Sequence, residues 1–100
     1  DDQGLRLFNV FNFPNPFATG TQFSFEISST AEISVDIYTL GGRKIHQISP
    51  QSVNAGYNFI NWDGRDKYGD ILANGVYLYQ LKAINGIESV STIGKIAKYE

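Results

Sequence analysis

Apolar and polar residues alternate with period two along most of this chain, and Gly, Pro, Asn and Asp interrupt the alternation at short intervals. From Thr21 to Ser28, Phe23, Phe25 and Ile27 fall on one side and Ser24, Glu26 and Ser28 on the other. That is the pattern of a strand with one face in a core and one in water. Glu32 to Leu40 repeats it, with Ile33, Val35 and Ile37 set against Ser34 and Asp36. A first strand is expected over Leu5 to Phe13, closed by Pro14 and Pro16, neither of which can donate a ladder hydrogen bond. Gly41-Gly42 predicts a two-residue turn with positive φ tolerated at both positions, so Arg43 to Ile48 should return as a hairpin. Tyr57 to Trp62 and Val76 to Ile84 flank a long Asp- and Gly-rich loop, and Asn85-Gly86 turns the chain into a last strand, Ile87 to Lys98. No segment has a helical period, and no repeat is visible.

About seven strands patterned in this way must cover their apolar faces, and two antiparallel sheets packed face to face do so economically. The expected fold is therefore all-β, an antiparallel β-sandwich. Trp62, in phase with Ile60, is the expected anchor of its core, opposite Tyr77, Tyr79 and Leu81. At 100 residues, 42% hydrophobic and 14% aromatic, residues 1–100 make one domain that can fold without disulfides, and there is no Cys. The net charge of -2 and the scattered Lys and Arg argue against nucleic acid as a partner. No apolar run approaches the ~20 residues of a spanning helix, so no membrane insertion is expected. The opening Asp1-Asp2-Gln3-Gly4 is neither a basic leader nor an initiator Met. The chain reads as a piece of a longer protein and is expected to be a monomer.

Catalytic chemistry finds little support. His46 is the sole histidine, in phase with Lys44 and Ile48 on a strand, and no motif supplies it with a nucleophile and an orienting partner. No Ser stands in a Gly-x-Ser-x-Gly setting, and the glycine pairs lack a strand-to-helix context. No enzyme activity and no cofactor are expected. Asp63, Asp66 and Asp70 have metal-like spacing, and calcium, which takes six to eight oxygens, is one reading of them. The plainer one is that Asp63 and Asp66 accept hydrogen bonds from their own loop while Gly64 and Gly69 take positive φ. A row of exposed Tyr38, Tyr57, Tyr68 and Tyr99 would suggest a carbohydrate platform; core packing is the plainer role of the aromatics.

Three motifs stand in order along the chain: Phe13-Pro14-Asn15-Pro16-Phe17, then Tyr38-Thr39-Leu40-Gly41-Gly42-Arg43-Lys44, then Trp62-Asp63-Gly64 with Gly75-Val76-Tyr77. Together they resemble the bacterial immunoglobulin-like domain of flagellar hook-capping proteins and, in a related form, of the C-termini of proteins exported by the type IX secretion system. In that family Trp62, Gly64, Gly75, Tyr77, Pro14 and Pro16 would be structural. Pro14-Asn15-Pro16, Gly42-Arg43-Lys44 and the final Gly94-Lys95-Ile96-Ala97-Lys98 favour the type IX branch. The resemblance implies an immunoglobulin-like domain at the C-terminus of a larger exported protein. It would be a sorting and anchoring module recognised by the secretion machinery, reaching the cell surface or outer membrane by way of the periplasm. Lys95 and Lys98 are the expected recognition residues, although Lys on an edge strand also discourages unwanted pairing. Rival roles are a spacer next to other domains of a large surface enzyme, the type IX signal peptidase included, a carbohydrate-binding module, or a hook-cap domain.

Overall fold

A computed structural model describes residues 4–100. Seven strands run in order: β1 Leu7–Phe13, β2 Thr21–Ile27, β3 Ala31–Thr39, β4 Lys44–Val53, β5 Gly56–Trp62, β6 Gly75–Asn85 and β7 Glu88–Lys98, with no helix among the described residues. They form two antiparallel sheets, β1-β2-β5 and β4-β3-β6-β7. The fold is an immunoglobulin-like β-sandwich. The chain changes sheet after β2, after β4 and after β5, so strands distant in sequence become neighbours.

The period-two pattern explains the core. Phe23, Phe25 and Ile27 of β2 face Ile33, Val35 and Ile37 of β3 and Tyr79, Leu81 and Ala83 of β6, all buried. Trp62 is 4% exposed and closes one end, its ring centroid 5.4 Å from Phe17 and 6.2 Å from Phe23. Burial pushes the Tyr79 phenol above its ordinary value.

Several boundaries differ from the sequence expectation, each for a local reason. β1 begins at Leu7 rather than Leu5. The β3–β4 connection is not a two-residue turn. Gly42 N–H donates to Thr39 O at 2.9 Å and Thr39 N–H to Arg43 O at 2.9 Å, so three residues form the loop and only Gly42 has positive φ, +96. A tight turn followed by one left-handed glycine is the next commonest hairpin geometry. β4 continues past Ile48 to Val53, through Pro50. Ile33 pairs with Gln51 and Val35 with Ile48, so Ser49 and Pro50 stand together opposite Ser34 as a bulge. Because β4 is an edge strand, the missing proline N–H is tolerated there. A second shift, between Ile37 and Tyr38, leaves Ile45 unpaired and reverses the phase around it. His46 therefore pairs with inward-facing Ile37 while Lys44 pairs with outward-facing Tyr38, and the two do not share a face.

Candidate functional site

The Pro-Asn-Pro segment reaches the last strand and holds its edge. Phe17 N–H donates to Ala97 O at 2.8 Å and Tyr99 N–H to Phe17 O at 3.0 Å, a short parallel bridge along β7. Asn15 extends it with its side chain: Ala97 N–H donates to Asn15 Oδ1 at 3.0 Å, and Asn15 Nδ2 donates to Lys95 O at 3.2 Å. Pro14 O accepts from Thr21 Oγ1 at 2.9 Å, which ties the segment to β2. Both prolyl bonds, Phe13–Pro14 and Asn15–Pro16, are cis. The sequence reading assigned Pro14 and Pro16 a structural place but missed Asn15, whose role depends on a strand eighty residues away.

Lys95 and Lys98 lie on opposite sides of β7. Lys95 is exposed, whereas Lys98 is 3% exposed, in phase with buried Ile96. Lys98 was expected to be presented to a partner, and the structure overturns that placement. Its Nζ donates to Glu100 Oε1 at 2.7 Å, and it lines a small cavity with Asp63, Gly64 and Arg65. The side-chain hydrogen bond and charge of Lys98 hold the Glu100 carboxyl below the usual carboxylate range. Gly94 faces Tyr79 across the ladder, and a Cβ there would stand 2.6 Å from the phenol ring, so a larger residue would have to push the phenol aside. On the outer edge of β7, Glu88–Gly94 has no strand partner among the described residues.

The loop after Trp62 is built around its own backbone. Asp63 Oδ1 accepts from Arg65 N–H at 3.0 Å, and Asp66 Oδ1 accepts from both Tyr68 N–H and Asp70 N–H at 2.9 Å. Trp62 Nε1 donates to Arg65 O at 3.1 Å, fixing the indole to the loop. Gly64, at φ +78, lies where a Cβ would be 2.8 Å from the Phe17 ring and from Thr19 O. Gly69 also takes positive φ. Among the described residues, no three His, Cys, Asp or Glu side chains, Asp63, Asp66 and Asp70 included, converge to hold an ion. The Arg43–Lys44 hairpin faces this loop across a cleft lined also by Asp66, Lys67 and Tyr68.

The remaining named residues fall in place around these elements. Gly75 opens β6, and Tyr77 is half-buried with its hydroxyl donating to Ala73 O at 2.7 Å. His46 stacks on Trp62, ring centroids 5.8 Å apart, and its Nδ1 is buried without a partner. Among the described residues, no hydrogen bond joins a hydroxyl to its ring. Tyr38, Tyr57, Tyr68 and Tyr99 do not line up: Tyr38 is on β3 and Tyr57 on β5, in different sheets, while Tyr68 and Tyr99 lie outside the strands. A different set of aromatics shares a surface. Register places Phe8, Phe11 and Phe13 of β1 and Tyr57 and Phe59 of β5 on the outer side of the three-stranded sheet.

Residues 13–86 match the family model of the FlgD Ig-like domain. No curated protein matches the chain. Among solved structures, it superposes on a crystal structure of dimeric latent PorU from Porphyromonas gingivalis with a TM-score of 0.79 and 24% identity, covering 94% of this chain and 9% of that one. It also superposes on PorZ, an essential bacterial surface component of the type-IX secretion system of the same organism. The TM-score there is 0.59 at 21% identity, over 92% of this chain and 12% of PorZ. At these identities the likeness is one of fold, and the chain spans a small part of either protein.

Proposed function

Since this chain belongs to the FlgD Ig-like domain family, we propose that it is a non-catalytic module of a larger exported protein, one that type IX secretion machinery recognises and delivers to the cell surface. The observation that carries the reading is the Pro14-Asn15-Pro16 segment laid along Lys95-Ile96-Ala97. It joins the two motifs that most resemble exported C-terminal domains into one surface. The fold shared with PorZ, a surface component of that secretion system, lends support. Recognition would use exposed Lys95 and the edge of β7 from Glu88 to Gly94, which no described strand pairs, since an unpaired strand edge offers backbone donors and acceptors to a partner strand.

Burial of Lys98 favours a second reading, an accessory spacer packed against other domains of a surface protein, because it removes one of the two presented cations. A reporter fusion separates the two. Behind a signal peptide and a reporter, in a bacterium with type IX machinery, residues 1–100 should carry the reporter to the surface. Lys95→Glu should strand it in the periplasm without lowering the melting temperature, since Lys95 is exposed. An intact fusion that stays periplasmic removes the export reading and leaves the spacer. Export unaffected by Lys95→Glu removes the role of Lys95.

A further inference from the structure

We propose that the outer face of the β1-β2-β5 sheet is a dimer interface that binds a second copy of this chain. Three cross-strand rows make up the face: Phe8–Glu26–Tyr57, Phe11–Ser24–Phe59 and Phe13–Gln22–Asn61. The bulge at Asn9, at φ +52, makes this possible, because it re-phases β1 so that Phe8 and Phe11, three residues apart, both point outward. The aromatics are 39, 49, 71, 61 and 55% exposed in the order Phe8, Phe11, Phe13, Tyr57 and Phe59. At ~200 Å² per aromatic side chain they leave roughly 550 Å² of ring surface in water. That lies at the upper end of the largest patch on a typical monomer, roughly 300–600 Å². Covering it in both copies would bury about 1,100 Å² of ring surface alone, past the ~1,000 Å² that a specific interface needs.

The arrangement of the rows selects a second copy as the occupant. A two-fold axis lying across the strands at Ser24 sets each row against its complement, as a closed isologous contact requires. Phe11 then meets Phe11 and Phe59 meets Phe59, while Phe8 meets Phe13. Tyr57, whose hydroxyl can donate, meets the amide of Asn61. Among the described residues, the charges at one end of the face are Arg6, over the Phe8 ring at 5.6 Å, and Glu26, which accepts from Asn9 Nδ2 at 2.8 Å. Under that axis Glu26 lies opposite neutral Gln22 and not opposite its own copy. Ser24 is 3% exposed although it faces outward, in the row between Phe11 and Phe59. The centre of the face is therefore lined by the rings of Phe11 and Phe59, and a second copy would pack on it as stacked sheets do, at ~10 Å. The outer face of the other sheet, with Asp36, Lys82 and Gln80 among its residues, has no such layer.

Sedimentation of the 100-residue chain from low micromolar to hundreds of micromolar tests this. The mass should rise from monomer to twice that value and stop. Phe11→Ser and Phe59→Ser should each weaken association by roughly tenfold or more. Ile93→Ser, on the opposite sheet, should leave association unchanged. Thermal melts of each variant show that the fold survives. Because the chain has no Cys, a mixture of Gln22→Cys and Glu26→Cys chains should cross-link through a short bismaleimide, whereas Lys82→Cys alone should not. A monomer at every concentration overturns the proposal and assigns the face to an adjacent domain or a glycan. Growth beyond two copies, association that survives the double substitution Phe11→Ser with Phe59→Ser, or a cross-link through Lys82→Cys overturns it as well.

Discussion

Single side chains decide two properties of this domain. Trp62 meets Phe17, Phe23 and His46 at once and is pinned through its indole N–H to Arg65 O. Truncating a buried Trp costs about 3–5 kcal/mol, out of the ~5–15 kcal/mol that a domain of this kind has. Trp62→Ala should therefore lose a large part of the stability, read as a lower denaturation midpoint in urea; an unchanged midpoint would show that the indole carries little of the core. The second property is the Lys98–Glu100 pair. The Glu100 carboxyl titrates below its ordinary value when folded, so its contribution is present above the unfolded value and lost as the pH falls through the folded one. Glu100→Gln should lower the melting temperature at neutral pH, and the difference from the parent should vanish in acid. Melts of both chains from pH 7 to pH 2 would check the sign.

Among the elements, β7 is held by a strand on one side and by a loop on the other. β6 pairs with it along one side, and on the other Asn15 and Phe17 bond Lys95, Ala97 and Tyr99. Asn15→Ala removes both side-chain bonds to this edge and leaves the Ala97 N–H and the Lys95 C=O without those partners. A cost of roughly 1–3 kcal/mol is expected. Amide exchange at Ala97 should accelerate more than exchange in β3, which is flanked on both sides. Equal acceleration in both strands would mean that the loss acts on global stability and not on this edge. The same clamp explains why removing Gly94 to Glu100 is a poor probe of recognition, since it also removes buried Ile96 and the partners of Asn15 and Phe17.

As a whole molecule the domain is long and narrow, 46 × 22 × 20 Å, with both sheets assembled from strands far apart in sequence. β2 pairs with β5 and β3 with β6, so loops must close before those ladders form. Sandwiches of this kind fold in milliseconds to seconds. Stopped-flow refolding of residues 1–100 should fall in that range; completion in microseconds would mean that the long-range pairings do not limit the rate.

The sequence by itself determined which segments are strands, which side chains of β2, β3 and β6 face inward, and where the Asp63–Asp70 loop turns. Each of these follows from period-two alternation or from local turn chemistry, and neighbours within a few residues suffice to set it. Only the tertiary structure decided the phase of β1, the reversal at Ile45, the burial of Lys98 and the partners of Asn15. A bulge shifts every later side chain to the other face, and whether one forms depends on the strand opposite. Thus Phe8 and Phe11 read as facing opposite ways until Asn9 is seen to be inserted across from Phe25. Lys98 reads as a solvent-facing cation until Glu100 and the end of the core enclose it. Those two outcomes take Lys98 out of the candidate interaction surfaces, leave Lys95 in them and add the aromatic face, because surfaces are made by strands that meet only on folding.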